Sequence, residues 1–277
     1  MLNVRFFGVR GSTPCSCESN QRYGGNTACV VVRGDTGDPI VLDLGTGLRF
    51  WGLEPQPEPF RATALVTHLH WDHVQGLPFF TPMHREGASM RIIGPRQHDR
   101  TLRDAFDEFL RPPYFPVSLD QLAGSFEFDE VGSDRFPIGE ATVTSAWVPH
   151  VGPTVGYRIE LDGRSIAYIS DHQQPGCAST RVDDEVLRLC EGVDVLIHDA
   201  QYTEAEFLAK YDWGHCTVDY AVEVAAQARV GQLVLFHHDP SHDDTMVDAV
   251  TAQAAHLAGG RSVPVIAAYE GLELQLG

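Results

Sequence analysis

The segment T-H-L-H-W-D-H-V, residues 67–74, joins a short apolar run to a cluster of metal-binding side chains. If the chain stays extended as it leaves the predicted strand, His68 and His70 point to the same side and can bind one ion. A turn at the next residues can bring Asp72 and His73 to a second ion. Imidazole and carboxylate ligands together suit zinc, manganese or iron. The segment therefore predicts a metal centre at the end of a buried strand.

Further potential ligands also follow apolar runs of strand length. They are His150, Asp171 and the adjacent pair His237 and His238. Because functional side chains collect on the loops beyond strand ends, we expect these strands to deliver their ligands to one edge. That edge would hold two ions roughly 3.5–4 Å apart, and Asp171 can bridge them because a carboxylate has two oxygens. The other predicted ligands are His68, His70 and His150 for one ion, and Asp72, His73 and His237 for the other.

Strand-like and helix-like segments follow one another without a linker, which predicts a single domain over residues 1–277. The first half is rich in strands and the second alternates strands with helices. This order fits an α/β fold of two mixed sheets with helices outside, and a plain α/β sheet remains the alternative. The predicted strands lie at residues 3–7, 28–33, 39–43, 62–67, 90–93, 142–148, 155–161, 165–170, 193–198, 232–236 and 263–267. The predicted helices lie at residues 99–110, 183–191, 204–210, 218–229 and 245–257.

The charge of the chain excludes several classes of partner. Lysine and arginine number 20 against 38 aspartate and glutamate, so the formal net charge is −18. Nucleic acid and anionic membranes are repelled over most of such a surface, and only a bound metal ion reverses the field locally. No apolar run approaches the roughly 18 residues of a membrane span, and no signal-like segment opens the chain. We expect a cytoplasmic protein whose six cysteines are reduced.

Several motifs, read in order, resemble the metallo-β-lactamase superfamily, and in particular its ribonuclease Z and cyclic-phosphodiesterase branch. The superfamily resemblance comes from H-L-H-W-D-H, the later single histidine, S-D at 170–171 and F-H-H-D-P at 236–240. The branch resemblance comes from five motifs: F-G-V-R-G-S-T-P at 7–14, R-Y-G-G-N-T-A-C at 22–29, V-L-D-L-G-T-G at 41–47, H-D-A-Q-Y at 198–202 and H-C-T at 215–217. The resemblance implies a four-layer αββα sandwich of two mixed β-sheets flanked by helices.

The resemblance also implies roles for individual residues. The seven predicted ligands match metal positions, and His237 is preferred over His238 because it precedes Pro240 by three residues, as in the branch. His215 matches a histidine that assists the leaving group, and Asp199 matches the acid that orients it. Asp72 is counted among the catalytic residues as well as the ligands. The implied cofactor is a pair of divalent ions, zinc first, with manganese or iron as alternatives.

Three further residues are interpreted individually. Asp43 either accepts a hydrogen bond from a metal-bound imidazole or caps the glycine turn that follows it. Cys15 and Cys17 resemble part of a structural zinc site in a cyclic phosphodiesterase of the branch. Position 18 is glutamate rather than a third cysteine, and His242 alone would not complete four ligands. We therefore expect no zinc there.

The predicted activity is hydrolysis of a small or cyclic phosphodiester by metal-activated hydroxide. The alternative is hydrolysis of a lactone, thioester or other carboxyl ester at the same site. A di-iron redox centre and a metal-free binding module are less favoured, because the ligand element is complete and no flavin domain is present. Transfer RNA is not an expected substrate, because the chain is acidic and lacks the basic arm of ribonuclease Z. Analogy with related enzymes suggests a homodimer.

Overall fold

The computed structural model describes residues 1–261 and 263–277, and the strands of these residues form two seven-stranded sheets. The strands of the first sheet are β1 (Leu2–Gly8), β2 (Cys29–Arg33), β3 (Ile40–Leu42), β4 (Arg61–Leu65), β5 (Ser89–Pro95), β6 (Ser125–Val131) and, from the end of the chain, β14 (Glu273–Leu276). Their order is β14-β1-β2-β3-β4-β5-β6. The sheet is mixed, because β3 to β6 are parallel and the other neighbours are antiparallel.

The second sheet is also mixed. Its strands are β7 (Arg135–Ile138), β8 (Ala141–Trp147), β9 (Val155–Leu161), β10 (Arg164–Ile169), β11 (Val195–Asp199), β12 (Leu233–Phe236) and β13 (Val265–Ala267). They are arranged in the order β13-β12-β11-β10-β9-β8-β7. Strands β10 to β13 run parallel, so their carboxyl ends share one edge.

Helices cover the outer faces of both sheets. They are α1 (Gly47–Leu53), α2 (Trp71–Val74), α3 (Leu102–Phe109), α4 (Asp184–Cys190), α5 (Glu204–Ala209), α6 (Val218–Gln227) and α7 (Asp244–Gly259). Thr101 and Thr203 begin α3 and α5 with capping boxes, in which the threonine side chain accepts from the backbone three residues on. The first sheet carries α1 and α3, and the second carries α4, α6 and α7.

The alternation of side chains along each strand separates three apolar cores. Val30 and Val32 lie in the core between the two sheets, whereas Val31 packs with the helices outside the first sheet. In the same way Ile166 faces the central core and Ala167 faces the helices outside the second sheet. Three cores separate four layers, which confirms the predicted αββα sandwich and excludes the plain α/β sheet.

Three strands and two helices were not predicted from the sequence. One of these helices, α2, is a single helical turn where only a turn was expected. Strands β6, β7 and β14 each lie at the edge of a sheet. One face of each strand is exposed to solvent, so polar residues interrupt its apolar run. Pro137 lies in β7. An edge strand tolerates proline, because some backbone donors of such a strand have no partner strand. Helix α1 contains two glycines and buries only one narrow face, so its periodicity is weak.

Two other predictions concern membrane-spanning segments and the state of the cysteines. Among the described residues, no helix has both the length and the apolar character to cross a bilayer. All six cysteines are free thiols. The cytoplasmic location and the single domain over residues 1–277 stay predictions.

Candidate metal centre

The predicted ligands meet where several strands end. His68 and His70 lie just beyond β4, and His150 lies beyond β8. Asp171 follows β10, and His237 follows β12 in the left-handed backbone region, with φ of 59°. The fold therefore gathers these side chains at one edge of the sandwich from four separate strands, as the sequence predicted.

Three imidazoles converge in the first group of ligand atoms. His70 Nδ1 lies 2.9 Å from His68 Nε2 and 3.3 Å from His150 Nε2. Asp171 Oδ2 is 3.7 Å from His68 Nε2 and 3.8 Å from His150 Nε2. One atom from each of the four residues lies within 4.8 Å of the others, which is close enough for a shared cation.

A second group contains Asp72, His73 and His237. Asp72 Oδ2 lies 3.1 Å from His73 Nε2 and 3.2 Å from His237 Nε2. The other oxygen of Asp171, Oδ1, lies 3.2 Å from His73 Nε2 and 3.5 Å from His237 Nε2. The two oxygens of Asp171 therefore face different groups, which is the arrangement that a bridging carboxylate needs.

Hydrogen bonds fix the orientation of three of these imidazoles. His73 Nδ1 donates to Asp43 Oδ2 at 2.8 Å, and His150 Nδ1 donates to the carbonyl of Gly214 at 2.7 Å. His237 Nδ1 donates to Gln201 Oε1 at 2.7 Å. Because Nδ1 of each ring is engaged in this way, Nε2 is the nitrogen that faces the cluster.

The contacts of Asp43 decide between the two roles that the sequence left open for it. It is fully buried and, besides His73, accepts from the backbone nitrogen of Thr67 at 2.7 Å and the hydroxyl of Tyr168 at 2.8 Å. These bonds tie the carboxylate to the second ligand group. Asp43 is therefore an outer partner of an imidazole, and its own φ of 59° lets the chain turn towards α1.

The electrostatics of the cluster favour a bound cation. Burial lowers the pKa of His68 and His70, and it lowers that of His150 to about 4, so these rings are neutral at pH 7 as metal ligands must be. Burial alone would raise the pKa of Asp171, but the surrounding imidazoles hold it well below its usual range. Burial likewise opposes a charge on His73, yet the carboxylates around it raise its pKa. The site thus favours positive charge among its carboxylates.

One orphaned atom supports the same conclusion. Among the residues that the structure describes, Asp171 Oδ1 is buried and accepts no hydrogen bond. A buried carboxylate oxygen without a partner carries a large desolvation cost, which a cation would offset. Nitrogen and oxygen donors in this combination fit zinc, manganese or iron.

His215 and Asp199 lie beside the cluster. His215 Nδ1 donates to Asp199 Oδ2 at 3.1 Å and lies 3.6 Å from Asp171 Oδ2. Asp199 is held by the backbone nitrogens of His172 at 3.0 Å and Gln201 at 2.9 Å. Burial lowers the pKa of His215, but Asp199 and the other carboxylates outweigh it and raise that pKa. His215 also forms a possible ligand group with Asp171 and His237.

The N-terminal loop completes the wall of the second group. The backbone nitrogen of Ser12 donates to Asp72 Oδ2 at 2.7 Å. Gly11 lies so close to His237 that a Cβ at this position would be 2.3 Å from the ring. Gln201, the partner of His237, was not singled out from the sequence although it lies in the quoted H-D-A-Q-Y motif. Its place in that motif was the available signal, because glutamine as a residue type carries little information about such a contact.

The remaining candidates lie outside the cluster. His238 points away and donates from Nε2 to the carbonyl of Ala268 at 3.0 Å. His242 Nε2 pairs with Glu206 at 2.8 Å, and Cys15 Sγ accepts from Asn20 at 2.9 Å. Within the described part of the chain, no ligand group includes a cysteine.

This edge of histidine and aspartate in an αββα sandwich defines a metal-dependent hydrolase. A family profile described as "Beta-lactamase superfamily domain" matches residues 41–238, so the chain belongs to that family. Ribonuclease Z of Sulfurisphaera tokodaii is 25% identical over 88% of this chain and 90% of that protein. The metallo-β-lactamase fold protein YhfI from Bacillus subtilis has a TM-score of 0.73 at 17% identity, covering 99% and 98% of the two chains. Human tRNase Z, short form, has a TM-score of 0.70 at 22% identity over 99% of each chain.

Replacing Gln201 by Met is expected to weaken metal binding at the second group by roughly 10–100-fold, because His237 loses the acceptor that orients it. The measurement is competitive zinc titration against a chromogenic chelator. Gln253→Met, on the exposed face of α7, is the matched control and should bind as the parent does. Equal affinity in both variants would contradict the role of Gln201.

Proposed function

We propose that this enzyme is a dinuclear phosphodiesterase that hydrolyses a small or cyclic phosphodiester. The observation that carries the proposal is the division of Asp171, whose Oδ1 and Oδ2 face two separate ligand groups. A His215–Asp199 pair, positioned to supply a proton, lies beside that bridge. Relatives that bear the name Ribonuclease Z support phosphodiester chemistry for this chain.

The proposed ligands form two groups, one for each of two metal ions. When bound, such a pair lowers the pKa of a coordinated water from 15.7 to about 7 and neutralises phosphate oxygens. Zinc is the first choice for both positions, with manganese or iron as alternatives. The proposed ligands are His68, His70 and His150 for one ion, Asp72, His73 and His237 for the other, and Asp171 for both.

His215 supplies the proton for the departing alkoxide. Its Nδ1 is engaged by Asp199, so Nε2 is the nitrogen that can deliver a proton to a neighbouring oxygen. The Asp199 carboxylate stabilises the protonated ring and fixes its orientation. Because Nδ1 is committed to Asp199, we assign His215 to proton transfer rather than to metal binding. Asp72 serves as a ligand, and its contact with Ser12 ties the N-terminal loop to the second ligand group.

A small substrate fits the charge of this protein better than transfer RNA does. The net charge of −18 opposes a long polyanion, whereas a single phosphate can be attracted by a local pair of cations. Hydrolysis of a carboxyl ester is the competing activity, because the same ions would polarise a carbonyl. The H-D-A-Q-Y and H-C-T motifs, which contain Asp199 and His215, resemble the ribonuclease Z and cyclic-phosphodiesterase branch and so favour phosphorus chemistry.

The test combines elemental analysis with a substrate comparison on the zinc-loaded protein. We expect two ions per chain and faster hydrolysis of bis-p-nitrophenyl phosphate than of a panel of lactones. Activity should disappear with a chelator and return with zinc or manganese. A preference for lactones would contradict the phosphodiesterase proposal and support carboxyl-ester hydrolysis instead. Efficient cleavage of a precursor transfer RNA would contradict the small substrate.

A further inference from the structure

Two exposed tryptophans lie close to the metal centre, and the proposed reaction leaves them without a role. Trp71 is 75% exposed and Trp213 is 60% exposed, although indole rings are usually well covered. Trp71 directly follows His70, the exposed member of the first ligand group. A large aromatic ring is therefore left in solvent beside the most accessible proposed ligand.

Trp213 lies beside the same ligand group on a different segment of the chain. Its neighbour Gly214 provides the carbonyl that accepts from His150 Nδ1 at 2.7 Å. The ring centroids of His150 and His70 are 5.0 Å apart. Both tryptophans thus lie within one residue of groups that form or hold the first ligand group.

The backbone around Trp213 is fixed on both sides. The Trp213 nitrogen donates to the carbonyl of Lys210 at 3.0 Å, and the Gly214 nitrogen donates to Gln173 Oε1 at 2.8 Å. Lys210 Nζ also lies 5.6 Å from the centroid of the Trp213 ring. A side chain on a backbone that is already fixed loses less conformational entropy when a ligand covers it. The exposed indole therefore has the character of a preformed contact surface.

The charges near Trp213 restrict what the two rings can bind. Lys210 is the only lysine of the chain, and its Nζ is engaged by Asp239 Oδ2 at 3.0 Å. This lysine is not free to bind a row of phosphates, and the net charge of −18 repels one. An aromatic face, by contrast, stacks on any nucleobase without regard to its sequence. Two exposed aromatic rings beside a metal centre, on a protein of this charge, therefore suit a ligand with one phosphate and one planar base.

We infer that Trp71 and Trp213 stack against the nucleobase of a nucleoside phosphodiester whose single phosphate lies at the metal centre. The inference rests on the proposed function and names the substrate class for it. The two residues act on substrate recognition, whereas His215 acts on the leaving group. Base stacking should therefore contribute to kcat/KM only when the substrate carries a base.

The first test compares two substrates that differ only in the base: adenosine 2′,3′-cyclic phosphate and the corresponding cyclic phosphate of methyl riboside. The ratio of their kcat/KM values should fall at least roughly fivefold in Trp71→Ala and in Trp213→Ala, the low end of base–aromatic stacking. Phe50→Ala is the control, because Phe50 is 42% exposed on α1. Its ratio should equal that of the parent. An unchanged ratio in both tryptophan variants would overturn the inference.

A binding measurement separates this inference from the proposed function. Calorimetry on the zinc-loaded parent should give tighter binding of adenosine 5′-monophosphate than of ribose 5-phosphate, and both tryptophan variants should lose most of that difference. If the parent turns over neither cyclic phosphate but shows this pattern, the phosphodiesterase proposal fails and the base-binding role stands. If the parent binds both ligands equally, the base-binding role is wrong whatever the turnover.

Discussion

Replacing Asp171 by Asn should reduce the metal content of the purified protein and lower phosphodiester turnover by more than about 100-fold. Loss of an outer hydrogen-bond partner of a ligand already costs roughly 10–100-fold, and this substitution removes a negative charge from the centre itself. Asp171 is 2% exposed, and its two oxygens face both ligand groups. One substitution therefore weakens both sites. Elemental analysis and steady-state kinetics measure the two effects.

The control for this substitution is Asp38→Asn, at an exposed position distant in sequence from every proposed ligand. It removes the same charge and should retain metal and activity. Thermal melting of the metal-free proteins shows whether Asp171→Asn still folds, since the loss of charge is also expected to relieve repulsion among buried carboxylates. A folded Asp171→Asn protein with two ions and full turnover would show that Asp171 does not bridge a metal pair.

The second large effect is expected from His215→Ala. Turnover should fall by roughly 10²–10⁴-fold, the usual contribution of a positioned general acid, while the metal content stays at the parental value. The reason is that Nδ1 of His215 is engaged by Asp199, so its proposed role is proton transfer. Substrates with better leaving groups should be affected less, because a stable alkoxide or phenolate needs no proton.

His256→Ala is the matched control for His215→Ala, because His256 lies on an exposed face near the end of α7. Loss of metal in His215→Ala would instead make His215 a ligand, in keeping with its closeness to Asp171 and His237. Parental turnover with both leaving groups would remove His215 from the reaction.

Much of the centre could be predicted because its signals are local. His68, His70, Asp72 and His73 lie within one short segment after a strand, so chain geometry alone brings them together. Of the adjacent pair, only His237 faces the cluster, and its role as a ligand stays a proposal. Buried strands were found through their apolar runs. Edge strands such as β6 were missed, because their alternating polar residues have no such run.

The contacts that orient the ligands could not be predicted in the same way. Asp43 had two interpretations, and only its bond to His73 distinguished them. Gln201 and Gly214 hold His237 and His150 through atoms that a sequence motif does not single out. Glycine and glutamine are common in loops for other reasons, so their residue type carries little information about such a contact.

The amino-acid sequence was sufficient for the family and the layered fold, which the resemblance of its ordered motifs implies. It was also sufficient for the identity of the side chains that can bind a cation, because these depend on spacing along the chain. The three-dimensional arrangement was needed for the division of Asp171 between two ligand groups, the tautomers of the imidazoles and the exposed tryptophans beside them. These features depend on pairs as far apart in the chain as Asp72 and His237, separated by 165 positions. Packing of the two sheets brings such pairs together, and no short-range pattern encodes their distance.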